Sequence, residues 1–330
     1  MPRTPLAAAG IAVVAALTGP STSLAEPVEA FLEAPGPAGP LGGTLLEPPV
    51  DGDGAPTAIV IPGSGPTDRN GLNTYGMKAA TYRLLAEDLA RRGVATLRID
   101  KRGMFGSAGA ISDPFDVTVG DYADDVAAWA KVLREGHARP CAWLIGHSEG
   151  ALVALIAAAR DPGPYCGLVL LAAPGRPIGE ILRDQFRTAE ADAATMAQLD
   201  EALRTMEDGE SFDPTGLTDA LRALLNKRVQ PFLIDLLGQD PAALLRDIDL
   251  PTLSVSAAED IQIFAEDARR LAAAGAHVET LTIAGANHMF KPVPPGDRAA
   301  NMAAYMKAGL PLADGLTEGV ATFIKRPRDG

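Results

Sequence analysis

The sequence predicts an α/β fold, a mostly parallel central sheet flanked by helices. Two observations carry that prediction. Short unbroken apolar runs rich in β-branched residues alternate with stretches of helical period, the order that right-handed crossovers produce. Each of those runs ends in a Gly-rich loop, which is where such sheets collect their sites. With 330 residues and 47 % hydrophobic content, the chain has enough apolar surface for one large core.

The elements follow in order. VEAFLEAP (28–35) and PLGGTLLEPP (40–49) flank a Gly/Pro turn and read as an antiparallel hairpin at a sheet edge. TAIVIPG (57–63) has the unbroken pattern of a strand buried on both faces. After the loop GSGPTDRNGLNTYG, the segment MKAATYRLLAEDLARRG (77–93) has helical period, with Leu84, Leu85 and Leu89 on one face and Gly93 as its stop. VATLRID (94–100) is a second buried strand, followed by the glycine-punctuated loop KRGMFGSAG. DYADDVAAWAKVLREG (121–136) reads as a helix, CAWLIGHS as a strand, ALVALIAAARD as a helix and YCGLVLLAAP as a fourth strand of the parallel set. The alternation then stops, and residues 176–247 carry helical patterns alone. It resumes with the strand TLSVSAA (252–258), the helix EDARRLAAAG (266–275), the strand HVETLTIAG (277–285) and a last helix over about 313–325. The expected organisation is a core built from 26–175 and 248–330, with a helical cap over 176–247 inserted after the fourth of these strands.

Residues 1–25 are a separate object. A single positive charge at Arg3 precedes the apolar run Leu6–Leu17, which is too short to span a bilayer. Gly19 and Pro20 break the run, and Ser23 and Ala25 are the small residues that a signal peptidase needs. The reading is a secretory signal cleaved after Ala25, leaving no stable membrane anchor and a periplasmic or secreted protein. No cysteine follows the run to carry a lipid. Cys141 and Cys166 both mark the starts of strands. In an oxidising compartment they allow a disulfide if those strands are neighbours, although direct bridging of adjacent parallel strands is awkward. Two separate buried thiols are the alternative. Neither cysteine has a CxxC or metal-ligand spacing, and no metal is expected. The net charge of −13 opposes binding to nucleic acid. Oligomeric state is not legible.

The chemistry centres on GHSEG (146–150). Ser148 follows the strand AWLIG and precedes the helix ALVALIAAA, the strand–turn–helix context of a nucleophile elbow. Helix capping is the plain alternative for such a serine. Of the four histidines, His137 lies at a helix end, His147 is locked inside the elbow and His277 begins a strand. His288 alone follows a strand's carboxyl end and is the expected base. An orienting acid belongs past another strand end, between serine and histidine in the chain. TLSVSAAED offers Asp260 there, with Glu259 as its rival. The oxyanion donors are expected from the backbone N–H groups of Glu149 and Ser64, the latter in the loop after TAIVI. GSG is not a phosphate loop, because it lacks both GxxxxGK[ST] and the third glycine of GxGxxG. Asp68, Arg69 and Asn70 read as structural, and Asp100, Lys101 and Arg102 as charges that steady the mouth.

The pieces PGSGPTDRNG, RIDKRGMFGS, IGHSEG, SAAEDIQ and GANHMFK, spread over residues 59–291, resemble an α/β-hydrolase close to the bacterial carboxylesterases grouped with serine aminopeptidase-like hydrolases. The resemblance implies a Ser148–Asp260–His288 triad that works without a cofactor. It departs at Pro62, where the family usually has histidine before the oxyanion glycine, and at Ala257, where it usually has glycine. A small-molecule ester of short or medium acyl chain is the expected substrate. The same triad also fits an aminopeptidase, an amidase or an acyltransferase, and a non-catalytic binding module is the remaining alternative. In the cap, Leu182, Phe186, Met196, Leu199 and Phe232 could line or cover a pocket. The acids Glu180, Asp184 and Glu190 could hold a free amine.

Overall fold

The computed structural model describes residues 26–49 and 54–327; the expected secretory signal lies outside the described residues. Eight strands form one sheet among those residues: β1 (Val28–Ala34), β2 (Leu41–Glu47), β3 (Thr57–Ile61), β4 (Ala95–Ile99), β5 (Ala142–His147), β6 (Tyr165–Leu171), β7 (Thr252–Ala257) and β8 (Val278–Ile283). Their order is β1-β2-β4-β3-β5-β6-β7-β8. The hairpin β1–β2 is the antiparallel edge, and β2 joins β4 antiparallel. From β4 to β8 every neighbouring pair is parallel.

The helices are α1 (Thr81–Arg91), α2 (Val119–Gly136), α3 (Glu149–Arg160), α4 (Ile178–Thr188), α5 (Ala193–Glu207), α6 (Asp219–Leu224), α7 (Gln230–Leu237), α8 (Pro241–Arg246), α9 (Ala265–Ala272), α10 (Arg298–Met306) and α11 (Leu316–Ile324). Strand alternation divides the core in two. Ile59, Ile61, Leu97, Leu144 and Leu168 pack with α2 and α3. Ala58, Val60, Ile145, Val169 and Val255 point the other way, onto Tyr82, Leu85 and Leu89 of α1 and Val320 of α11. Both faces are therefore dry, which is why these strands read as unbroken apolar runs.

Boundaries differ from expectation in places. Helix α1 starts at Thr81 rather than Met77, because Ala80 is left-handed (φ 51°). Helix α2 begins two residues early, set by a capping box between Thr118 and Asp121. Helix α10 was not foreseen.

The excursion between β6 and β7 holds α4–α8. Leu199, Leu203, Met206, Leu221 and Leu225 form a core of its own. Its last part behaves otherwise: Leu236 and Leu245 join the main core with Ile248. Packing therefore changes inside the 176–247 segment rather than at its end. Where it begins, Arg176 makes a two-pronged pair with the fully buried Asp267 of α9 (3.0 and 3.1 Å) and bonds Asp184 of α4 at 2.7 Å.

Cys141 and Cys166 are bridged, with Cα atoms 5.3 Å apart. The β5–β6 register shifts between Ala142, opposite Tyr165, and Trp143, opposite Gly167. The register skips Cys166 at that bulge, and this irregularity lies where the bridge links the two parallel neighbours.

Candidate active site

The strand order reverses at β3 and β5: the chain leaves β3 toward β4 on one side and continues from β5 to β6 on the other. In a doubly wound sheet the crevice lies there, beyond the carboxyl ends. The β3 loop and the β5 elbow meet at this point.

Ser148 stands between β5 and α3 at φ 54°, ψ −121°, a strained conformation for a residue with a side chain. Its N–H donates to the Leu171 carbonyl at 2.9 Å, tying the turn to the end of β6. The flanking glycines are required by space. A Cβ on Gly146 would lie 2.3 Å from the Gly150 carbonyl oxygen, and one on Gly150 would lie 2.4 Å from that of Ile61. The side chain of Ser148 makes no cap bond to α3, so the capping alternative does not describe it.

Asp260 and His288 come together past the ends of β7 and β8. Nδ1 of His288 lies 2.8 Å from Oδ2 of Asp260, and both side chains are buried. The other carboxylate oxygen of Asp260 accepts the N–H groups of Gln262 and Ile263 (2.8 and 3.0 Å), which fixes its rotamer. Glu259 is engaged elsewhere, its carboxylate accepting from the Gly296 N–H at 2.9 Å. With Nδ1–H donating to the acid, Nε2 of His288 is left as the basic nitrogen. The loop that carries it is held by Asn287, whose Oδ1 accepts from the N–H groups of Met289 and Lys291 (3.1 and 3.0 Å). Thr81 also holds it, bonding the Met289 carbonyl at 2.8 Å.

His147 takes no base role; it is structural. Its Nε2 faces the His288 carbonyl at 2.9 Å, so this nitrogen carries the proton and Nδ1 is the acceptor. The Tyr82 hydroxyl donates to that Nδ1 at 2.9 Å and accepts the Gly63 N–H at 2.9 Å. Burial, with a smaller push from the His288 charge, drives His147 down to about 3. Burial also raises the Tyr82 phenol, so both groups stay neutral.

The β3 loop passes close over the elbow: a Cβ on Gly63 would sit 3.3 Å from Cβ of Ser148. Lys101 donates to the Gly63 carbonyl and to the Glu149 carboxylate, each at 2.9 Å. The loop is pinned further out as well. Asp68 caps its own turn, Arg69 pairs with Asp100 at 2.6 Å, and Asn70 accepts from Arg98. Arg102 turns away from the loop and pairs with Asp125 at 2.7 Å and Asp121 at 3.0 Å. Ser64 is an exposed residue, and the Glu149 N–H occupies the first position of α3, where a helix leaves its donors free.

The apolar residues named in the cap are largely spent on packing. Leu182, Phe186, Met196 and Leu199 belong to one cluster between helices of the β6–β7 excursion. Phe232 packs on the main core, edge-on to Tyr122 at 6.0 Å. Among the acids of the β6–β7 excursion, Asp184 is taken by Arg176 and Arg187, Glu180 lies 4.0 Å from Arg270, and Glu190 is exposed. A cavity of about 360 Å³ lies behind Asp260, between α9 and β7–β8, and neither Ser148 nor His288 lines it. The polar supports Tyr82, Thr81 and the Lys101–Glu149 pair were not singled out as partners from sequence. Tyr82 lies on the Leu85–Leu89 face of its helix and reads as core. Among the described residues, no group of three or more His, Cys, Asp or Glu is arranged to hold a metal, and no helix is long and apolar enough to cross a membrane.

Residues 72–209 match the family described as serine aminopeptidase, S33. Over 223 residues the chain is 25% identical to esterase EstD of Thermotoga maritima, a match that covers 64% of this chain and 48% of that protein. The chain thus spans about half the length of the curated relative it matches. Among solved structures it resembles Est1E from Butyrivibrio proteoclasticus, at TM-score 0.57 and 16% identity, over 90% of this chain and 99% of that one. It is equally similar to a proline iminopeptidase from Mycobacterium smegmatis, at TM-score 0.57 and 16% identity over 89% and 97%. Sheet order and solved neighbours agree on one architecture: the chain has the α/β-hydrolase fold.

Proposed function

We propose that the chain is a serine hydrolase that cleaves carboxylic esters through an acyl-enzyme. The observation that carries the reading is the buried Asp260–His288 pair at 2.8 Å, on the sheet edge that also holds the strained Ser148 turn. In this scheme His288 Nε2 removes the Ser148 proton as Oγ attacks the carbonyl. The N–H groups of Ser64 and Glu149 hold the oxyanion, and the start of α3 adds its dipole there. His288 then protonates the leaving alcohol, and a water activated the same way releases the acid. Asp260 keeps the imidazole in the right tautomer throughout.

Ester rather than peptide cleavage is supported by the cap. An aminopeptidase needs a carboxylate to hold a free amine, and of the acids considered Asp184 is committed to arginines while Glu180 and Glu190 are exposed. Short to medium acyl chains are the proposed range. Export through residues 1–25 is part of the same proposal, and the Cys141–Cys166 bridge supports it because disulfides persist in oxidising compartments. A panel of p-nitrophenyl esters of rising chain length, run beside aminoacyl-nitroanilides, tests the assignment. Turnover of the shorter esters with no anilide cleavage is expected. Preferential release of nitroaniline would overturn it in favour of a peptidase. Ester cleavage in added alcohol that yields mainly the new ester would favour an acyltransferase.

A further inference from the structure

One buried ammonium bonds the Gly63–Ser64 peptide, through the Gly63 oxygen, and the side chain of Glu149. Nζ of Lys101 is 2.9 Å from the Gly63 carbonyl oxygen and 2.9 Å from Oε1 of Glu149. Its side chain and that of Glu149 are 3% and 5% exposed, and the face of the Tyr122 ring lies 5.3 Å from Nζ. We propose that Lys101 is the positioning residue of the oxyanion hole, holding the Ser64 and Glu149 N–H donors in one geometry. The inference rests on the ester-hydrolase reading above.

The warrant is peptide planarity. The carbonyl of Gly63 and the N–H of Ser64 belong to one rigid trans amide and point in opposite directions. Gripping the oxygen therefore aims the hydrogen. Gly63 has no side chain to resist a peptide flip, and Ser64 is exposed, so little else restrains that plane. The other side of Gly63 is held by its N–H bond to Tyr82. A positive charge on the carbonyl also polarises the amide and makes its N–H a stronger donor. The second contact of Lys101 is to the side chain of Glu149, the residue that supplies the other donor. One ion pair thus registers the β3 loop against the elbow.

A buried ion pair is a poor device for stability alone, since apolar residues of similar volume usually serve as well or better. Arg102, next in the chain, faces Asp121 and Asp125 and does not share the load. The pair also stands where the usual histidine before the oxyanion glycine is replaced by Pro62, which has no N–H and no polar side chain for bracing the loop.

The test compares wild type, Lys101→Met, the neutral double variant Lys101→Met/Glu149→Leu, and Glu149→Gln. Each is assayed for kcat and KM on a p-nitrophenyl ester. Each is also titrated with a trifluoromethyl ketone, whose serine adduct places an oxyanion in the hole, and with a ground-state competitive inhibitor. Lys101→Met and the double variant are expected to lose about 10- to 100-fold in kcat with KM within threefold, less than the outright removal of an oxyanion donor costs because the N–H groups remain but are misaimed. Ketone affinity should fall by the same factor and ground-state affinity should hold. Glu149→Gln keeps an acceptor for Lys101, so its loss of kcat should be smaller than that of Lys101→Met. The double variant leaves no unpaired buried charge, so it carries the test if Lys101→Met does not fold. Unchanged kcat in a folded Lys101 variant, or equal weakening of ketone and ground-state inhibitor, would overturn the proposal. A wild type without ester turnover would remove the functional reading itself, whereas an active wild type with an equally active Lys101→Met removes only this inference.

Discussion

Nε2 of His147 donates to the backbone carbonyl of His288 at 2.9 Å, and the two imidazole rings lie 4.7 Å apart. The histidine beside Ser148 is thus a strut for the loop that carries the other histidine. It works only while neutral, because a protonated His147 would carry a second N–H aimed at the Tyr82 oxygen.

That neutrality has a pH signature. Burial holds folded His147 at about 3, against the ordinary 6.5 in an unfolded chain. The folded value is the lower one, so the unfolded state binds more protons as pH falls. The stability this group supports is fully present above about pH 6.5 and drains away as pH falls toward 3. The slope reaches about 1.4 kcal/mol per pH unit. Urea unfolding between pH 7 and 4 should show this fall, and His147→Gln should flatten it. An equal slope in the variant would place the acid sensitivity elsewhere.

Tyr82→Phe removes the hydroxyl that links Gly63 to His147, leaving two buried groups without a partner. A loss of about 1–3 kcal/mol in unfolding free energy is expected. Gly63 also loses one of its two grips, so kcat should fall about tenfold, less than the removal of an oxyanion donor costs. Urea midpoints and ester kinetics on the same preparation check both, and a variant equal to wild type in each would refute the strut.

Lys291 is buried, and among the described residues its ammonium bonds the Leu310 carbonyl at 3.0 Å. Burial brings it down to about 8, with a smaller contribution from Arg83. The folded value lies below the unfolded one, so this group weakens the fold most below pH 8, where it is charged in both states. That cost fades as pH rises through the interval up to about 10.5. Lys291→Met is expected to stabilise by about 1–2 kcal/mol at pH 7, with the gain vanishing near pH 10. Thermal unfolding at the two pH values measures the difference.

The parts legible in the sequence are those that local pattern determines. The strands β3 to β8 are read from dry, β-branched runs, and each chemical residue is placed by lying just past one of them. That logic reaches the strained turn at Ser148 and the pairing of Asp260 with His288 rather than with His147. The supports are another matter. Tyr82 bonds a residue 65 positions away, and the Lys101–Glu149 pair spans 48. Such contacts depend on strand order, which the pattern along the chain does not specify. The disulfide hinged on a bulge at Cys166, a register detail that no periodicity encodes. Helix α10 follows the Pro/Gly-rich loop PVPPG and carries no strong apolar stripe, so it blended with its loop.

The Cys141–Cys166 bridge encloses β5, the elbow and α3, with a sequence separation of 25. A loop of that length is worth about 3 kcal/mol by the chain-entropy estimate. The double variant Cys141→Ser/Cys166→Ser should lose about that much in urea while keeping kcat, because the sulfurs sit at the amino ends of their strands, opposite the site. A fall in kcat in the folded variant would mean that the bridge shapes the elbow.

The central claim is that Ser148 is the nucleophile. Labelling with a fluorophosphonate followed by peptide mass analysis tests it directly, with ester turnover measured beside it. The account predicts one adduct, on the peptide containing Ser148, and a loss of several orders of magnitude in kcat for Ser148→Ala. An adduct on another residue, or wild-type turnover by Ser148→Ala, would contradict it.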